Sequence, residues 1–138
     1  MKSKLVCPII LDIEASGFGC ESYPIEIGVC LSDGARYCSL LHPEASWTHW
    51  DSKAEELHKI PRSLLFSSGR PLQLVCEELN KLLEGKTVYS DAWVFDKPWL
   101  NLMYFAVKIS PTFHLSPIES IQTECQHEIW DSTRSRLL

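Results

Sequence analysis

Two carboxylates stand two positions apart at the end of the first apolar stretch of the chain. Asp12 and Glu14 occur in the segment LDIEASGFG. In a β-strand, residues i and i+2 point to the same face, roughly 6.5–7 Å apart along the strand. Carboxylates at this spacing repel each other unless a cation lies between them, and hard ions such as Mg²⁺ and Mn²⁺ prefer oxygen ligands. The pair indicates a metal site, and its alternative is two solvated carboxylates at a strand end.

Three further residues carry side chains that could take part in chemistry. Asp96 stands where a helical pattern opens, and its alternative role is a helix N-cap. His127 and Asp131 are four residues apart, so a helix that covers both places them on one face. Their alternative role is an exposed polar stripe or a local hydrogen-bonded pair.

The first third of the chain carries the patterns of β-strands. Residues 5–14 form a nearly continuous apolar run, which predicts a strand covered on both faces, irregular or at an edge near Pro8. Residues 25–31 alternate between apolar and other side chains, the pattern of a half-buried strand. Turn residues follow at 32–34, so residues 35–41 are predicted to return as the second strand of a hairpin.

The rest of the chain shows helical spacing separated by short strand candidates. Apolar residues recur every three or four positions between Pro71 and Gly85, which predicts an amphipathic helix. Residues 86–90 are predicted to form a short strand and residues 96–107 a helix, with Pro98 in its first turn. Residues 109–118 are predicted as a loop or irregular strand, and 124–137 as a final helix. This order predicts one mixed sheet with helices packed on it.

Composition narrows the class of protein. The 138 residues predict one domain over 1–138, and 45% hydrophobic with 22% charged residues is typical of globular proteins. The net charge of −5 argues against a protein that holds nucleic acid mainly by a basic surface, but not against an enzyme that meets phosphates through metal ions. The apolar run 102–107 is far shorter than the roughly 18 residues of a membrane-spanning helix. Six cysteines without a C-x-x-C pair favour reduced thiols and a cytoplasmic location over a disulfide framework or zinc site.

The acidic motifs also occur in an order known from one enzyme family. The chain resembles the DEDD-type 3′→5′ exonucleases of the ribonuclease H-like fold, in the DEDDh subclass whose last motif carries histidine. The matching segments are DIEASGFG (12–19), PIEIGVCLSDG (24–34), ELHKIP (56–61), SDAWVFD (90–96) and HEIWDSTRSRL (127–137). The resemblance implies an α/β fold, in which a mixed sheet with an antiparallel hairpin and parallel strands is flanked by helices.

The resemblance also implies a function and a set of site residues. Asp12, Glu14, Asp96 and Asp131 would hold two Mg²⁺ or Mn²⁺ ions, and His127 would be the general base. Two such ions, about 3.5–4 Å apart, can activate a water and stabilise the leaving oxygen of a phosphodiester. The expected activity is metal-dependent 3′→5′ hydrolysis at single-stranded DNA or RNA 3′ ends, with no membrane partner and with a homodimer left open.

Further positions follow from the same resemblance. Ser16 and Phe18 stand where the family's loop meets the terminal nucleotide, with Phe18 able to stack on a base; the alternatives are a turn serine and a buried phenylalanine. His58 matches the family's H-x-I segment, and its alternative is a surface histidine at a helix end. Trp47 and Trp50 are expected to anchor the core, with a base-stacking platform as the alternative.

Three departures from the family pattern define a competing function. The last aspartate usually follows the histidine by five positions, whereas His127 and Asp131 are four apart, and without a gap Gln126 takes the histidine's place. We expect His127 to substitute through a local irregularity. Asp91 and Ala92 replace the family's His-Asn pair, and Asp91 is interpreted as a turn residue, with an extra acidic neighbour as the alternative. The chain also stops soon after Asp131. The competing function is therefore a catalytically weakened domain that binds nucleic acid or protein.

Overall fold

A five-stranded mixed sheet organises residues 7–121, the part of the chain that the computed structural model describes. The strand order is β3-β2-β1-β4-β5; β1, β2 and β3 pair antiparallel, whereas β4 is parallel to both β1 and β5. The predicted mixed sheet is confirmed. The predicted final helix, with His127 and Asp131, lies outside the described residues. The strands are β1 (Ile10–Ala15), β2 (Pro24–Cys30), β3 (Arg36–Leu40), β4 (Thr87–Ser90) and β5 (His114–Pro117).

Four helices flank the sheet: α1 (Ser52–His58), α2 (Arg62–Ser68), α3 (Leu72–Leu83) and α4 (Trp93–Val107), followed by a 3₁₀ turn at Ile118–Ile121. The bounds of α3 confirm the helix predicted between Pro71 and Gly85. Helix α4 begins three residues earlier than predicted. Pro98 is therefore its sixth residue rather than a first-turn residue, and it cannot donate the backbone hydrogen bond expected at that position.

The predicted hairpin is confirmed. Ile25, Ile27 and Val29 are buried, and the residues between them are less so, as the alternating pattern requires. In the turn between β2 and β3, the Asp33 carboxylate accepts a hydrogen bond from the Ala35 amide over 2.9 Å. Gly34 has a φ of 90°, a conformation that residues with side chains rarely adopt.

Strand β1 confirms one predicted alternative and differs from another. It begins at Ile10, so the chain around Pro8 is irregular as predicted, whereas the strand lies in the centre of the sheet and not at an edge. Its residues alternate in exposure, with Leu11 and Ile13 buried and Asp12 exposed. The predicted coverage on both faces is therefore wrong for the described residues. The apolar side chains pack on the helices from one face only, and the carboxylates take the other.

The main core lies between the sheet and helices α3 and α4. Leu11 and Val88 from the sheet pack with Leu79 of α3 and with Leu100 and Met103 of α4, all at most 2% exposed. A second cluster joins Tyr23, Ile25, Ile60 and Leu65 beneath α1 and α2. These two helices are not evident from the sequence because seven residues are too few to establish a helical period.

Two further observations bear on the class of protein. Among the helices of residues 7–121, none is long and apolar enough to cross a lipid bilayer. The cysteines in this range are free thiols: Cys7, Cys20, Cys30, Cys38 and Cys76.

The position of Leu79 predicts a large effect on stability. Leu79→Ala removes a side chain with no exposed surface from the centre of α3, so it should lower the free energy of unfolding by about 2–5 kcal/mol. Leu57→Ala is the matched control, since Leu57 is 73% exposed on α1 and its loss should change stability by at most about 0.5 kcal/mol. Urea unfolding followed by circular dichroism measures both values. Equal values for the two variants would contradict this description of the core.

Candidate active site

Asp12 and Glu14 lie on the same face of β1, opposite the buried Leu11 and Ile13, and within residues 7–121 Asp12 is exposed and Glu14 is half-buried. Glu14 is paired with Glu26 of β2, and Asp12 is paired with Gly28, which presents no side chain beside it. Desolvation by the surrounding protein raises the pKa values of both Asp12 and Glu14, although Asp12 remains accessible to solvent. The charge of Asp12 further raises the pKa of Glu14, and that of Glu26 raises both. The carboxylates on β1 and β2 thus concentrate negative charge, and within residues 7–121 no basic side chain lowers the pKa of Asp12 or Glu14.

Asp96 is the most buried carboxylate near this pair, with 1% of its surface exposed. It is not the helix N-cap considered from the sequence. Ala92 holds that position, and the Asp96 amide donates to the Ala92 carbonyl within the first turn of α4. The Ser90 hydroxyl at the end of β4 donates to Asp96 Oδ2 over 2.7 Å. Burial raises the pKa of Asp96 to about 7 against the lowering effect of that hydrogen bond, and the charges of Asp12 and Asp91 add to the rise.

Asp91 combines the two roles considered from the sequence. It is an exposed residue of the turn between β4 and α4, and its charge raises the pKa values of both Asp12 and Asp96. Ser90 supports the same turn, since its oxygen accepts from the Ala92 amide over 3.0 Å while its hydrogen points to Asp96.

The donor set has the chemistry of a divalent-cation site but is not complete in the described residues. Asp12, Glu14 and Asp96 are oxygen donors whose mutual repulsion a cation would relieve. Within residues 7–121, no three His, Cys, Asp or Glu side chains converge closely enough to hold a metal ion. The fourth expected ligand, Asp131, and the expected base, His127, both lie outside that range. The fit is therefore one of chemistry and electrostatics, and a metal site stays a prediction.

An apolar cleft opens between the loop after β1 and the first turns of α4, the helix that carries Asp96. It has a volume of about 340 Å³. Phe18 is 58% exposed at its rim, so it is not the buried residue that was its alternative. Ser16, by contrast, is fully buried, with its oxygen accepting from the Tyr23 amide. The cleft is lined by Phe18, Gly19, Cys20, Ser22, Val94, Phe95, Pro98, Trp99 and Leu102.

The remaining aromatic and histidine positions lie at the second core cluster. Trp47 stacks on Tyr23 with ring centroids 5.4 Å apart, and Trp50 packs edge-on against His58 at 5.6 Å. Both tryptophans pack against buried residues, which confirms the core-anchor interpretation. His58 ends α1 and accepts from the Ile60 amide, and burial lowers its pKa. A contact of His58 with substrate stays a prediction.

The sequence did not reveal three residues that shape the site. Ser90 donates a hydrogen bond to Asp96. In the sequence it is marked only as a hydroxyl residue at the end of a predicted strand. Glu21 and His49 contact each other beside the loop after β1. They are 28 positions apart with no shared pattern, so only the fold brings them together.

Comparison with solved structures identifies the fold. A structure described as SSB/exonuclease I with inhibitor CFAM matches with a TM-score of 0.68 and 11% identity over 82% of this chain and 28% of that chain. Product-bound exonuclease I matches with a TM-score of 0.66 and 12% identity over 80% of this chain and 29% of that chain. E. coli exonuclease I with a dT13 oligonucleotide matches with a TM-score of 0.65 and 10% identity over 80% of this chain and 27% of that chain.

The sequence comparisons give no match. No family model matches the sequence, and neither does any curated protein. The chain spans less than a third of the exonuclease I chains that it resembles. The sheet topology and these likenesses show that the chain has the ribonuclease H-like fold of exonuclease I.

Proposed function

We propose that the chain is a metal-dependent 3′→5′ exonuclease of the DEDD type, with the DEDDh subclass implied by His127. The observation that carries the proposal is the electrostatic coupling of Asp12 on the central strand with Glu14 and with Asp96 of α4, in a fold shared with exonuclease I. The raised pKa values show that the protein disfavours the charged forms of these three carboxylates. A bound cation would stabilise the charged forms.

In this proposal Asp12, Glu14, Asp96 and Asp131 hold two Mg²⁺ or Mn²⁺ ions. When bound, such ions supply activation of a water and stabilisation of the leaving oxygen. Ser90 keeps the Asp96 carboxylate oriented through its 2.7 Å hydrogen bond. His127 takes the proton from the attacking water, and Gln126 in its place could not accept that proton.

The apolar cleft is proposed to receive the terminal base. Its walls carry no charged side chain, and Phe18, Phe95 and Trp99 offer aromatic surface for stacking, which every base can use. Ser16 is fully buried, so we propose that it supports substrate binding only by holding the loop after β1, and His58 is proposed as a further substrate-binding residue away from the cleft. E. coli exonuclease I is seen in complex with dT13 and dA16 oligonucleotides. By analogy, we propose single-stranded DNA or RNA 3′ ends as the substrate here.

Phe18 provides a test of the cleft. Phe18→Ala should raise KM for an oligonucleotide about tenfold with little change in kcat, because stacking on one base is worth about 1–3 kcal/mol. Phe105→Ala is the matched control, since Phe105 is 81% exposed near the far end of α4. Steady-state kinetics on dT13 measures both. Equal KM values for the two variants would contradict base binding in the cleft.

The activity itself is tested with a 5′-labelled dT13 substrate. The full chain should shorten the labelled oligonucleotide stepwise from its 3′ end in Mg²⁺ or Mn²⁺, and EDTA should stop the reaction. A 3′-phosphorylated dT13 serves as the control substrate, since a blocked end should slow the first step. Intact substrate in both metals across pH 6–9 would contradict the proposal.

The competing function is a weakened domain that binds nucleic acid or protein without cleaving. It is favoured by the incomplete metal-ligand set within residues 7–121. Mn²⁺ titration separates the two functions, because a ligand that binds the folded state raises its melting temperature. An enzyme with an intact site should be stabilised by Mn²⁺ and a binding domain should not. A cytoplasmic location and a homodimer remain predictions.

A further inference from the structure

We propose that His49 is a positioning residue that fixes the loop after β1, here called the cleft loop (residues 16–22), and thereby sets substrate affinity. The inference rests on the proposed function, because the cleft loop forms one wall of the apolar cleft. It concerns a residue outside every motif of the sequence. His49 does not line the cleft, so it acts through the loop and not by touching substrate.

The cleft loop is closed at its base by Ser16. The Ser16 amide donates to the Tyr23 carbonyl over 2.9 Å, and the Tyr23 amide donates back to Ser16 Oγ over 3.1 Å. The Ser16 carbonyl accepts from the Asp51 amide over 2.9 Å, which ties the loop to the segment before α1. Ser16 is fully buried, so its hydroxyl has to find its partners within the protein.

His49 adds a side-chain contact at each end of the cleft loop. Its Nδ1 lies 3.0 Å from Ser16 Oγ at the start of the loop, and its Nε2 lies 3.5 Å from Glu21 Oε2 near the end. Because Ser16 Oγ already accepts from the Tyr23 amide, its hydroxyl hydrogen is free to donate to Nδ1, which leaves Nε2–H facing Glu21. One ring thus reinforces the backbone hydrogen bonds of the loop, which join Ser16 to Tyr23 and Ser22 to Gly19.

The backbone of the cleft loop passes close to the His49 and Glu21 side chains. A side chain at Gly17 would collide with the His49 ring, whereas one at Gly19 would meet only the end of the exposed Glu21 side chain, which can move aside. The loop therefore approaches the His49 ring at a position where glycine leaves room. Removing the ring leaves space into which the loop can relax.

The loop's position matters because the two walls of the cleft are held differently. Val94, Phe95 and Trp99 belong to α4, whose backbone is fixed by its own hydrogen bonds. Phe18 and Gly19 belong to the cleft loop, which lacks regular structure. A loosened loop moves Phe18 relative to α4. It leaves Asp96 and the strand carboxylates where they are, so substrate affinity changes and the chemical step does not.

The kinetic test compares His49→Ala, His49→Asn and the control His114→Ala in the full chain. His49→Ala should raise KM for dT13 about fivefold, because the loop loses the hydrogen bond between His49 and Ser16. The kcat should stay within about twofold of the parent value. His49→Asn keeps an acceptor for Ser16 and should recover most of the loss. His114 is an exposed residue of β5 and should have no effect. An unchanged KM, or a fall in kcat alone, would overturn the proposal.

Amide hydrogen exchange tests the clamp without relying on nuclease activity. In His49→Ala the Ser16 and Tyr23 amides should exchange faster, while those of α3 keep their protection. Glu21→Gln weakens the second contact from an exposed position and provides a variant that preserves the fold. If the parent chain neither cleaves nor binds dT13, the proposed function fails, and faster exchange still supports the clamp. Unchanged exchange in His49→Ala overturns the clamp whatever the activity.

Discussion

Asp12→Asn should reduce the rate of oligonucleotide cleavage by about 10³-fold or more at saturating Mg²⁺. The substitution keeps the size of the side chain. It removes the negative charge of Asp12, which lies on the central strand and is a ligand in the proposed metal site. It should not destabilise the metal-free fold. The raised pKa of Asp12 means that the folded chain already disfavours the charged form.

Glu56→Gln is the matched control for the loss of one negative charge. Glu56 is an exposed residue of α1, so its replacement should leave the cleavage rate within about twofold of the parent. Initial rates on 5′-labelled dT13 and thermal melts in EDTA measure the two quantities for both variants. An Asp12→Asn protein that keeps more than about a tenth of the parent activity would show that Asp12 is not a metal ligand.

The second large effect is a dependence of stability on pH that originates at Asp96. Its pKa rises from 3.8 to about 7 on folding, so the folded state favours the protonated form. The resulting stabilisation is fully present below the ordinary pKa and is lost as the pH rises through the folded value. Between pH 5 and pH 8 the metal-free protein should therefore lose about 3 kcal/mol of stability from this group.

Asp96→Asn isolates that contribution from the other titrating groups. The raised pKa values of Asp12 and Glu14 act in the same direction, whereas the lowered pKa of His58 acts in the opposite direction below its ordinary value of 6.5. These groups remain in the variant, so the difference between the two proteins reports Asp96. Urea unfolding in EDTA at pH 5 and pH 8 makes the measurement. The same pH dependence in the parent and in Asp96→Asn would contradict a buried, protonated Asp96.

The sequence predicted those parts of the fold in which local pattern and tertiary packing agree. The hairpin of β2 and β3 and the helix α3 have clear periods and turn residues at their ends, and they lie where predicted. The order of elements also predicted the mixed sheet. The D-x-E pair on β1 could be identified because the spacing of two residues fixes a shared face whatever the neighbours are.

The remaining features depend on contacts between distant segments. The start of α4 is set by the turn that Ser90 holds and not by a capping side chain, so the N-cap alternative for Asp96 is wrong. The exposure of Asp12 within residues 7–121 was not predicted, because an apolar run alone does not say which side of a strand the helices cover. His49 and Glu21 carry no local signal, because their importance comes only from the way the cleft loop folds back.

The proposed site requires four carboxylates to converge on a pair of cations. Anomalous diffraction from a crystal soaked with Mn²⁺ and a nucleoside monophosphate tests this arrangement. We expect two manganese peaks about 3.5–4 Å apart, with Asp12, Glu14, Asp96 and Asp131 as their ligands. A map without manganese at Asp12, or with Asp131 remote from the other three carboxylates, would contradict it.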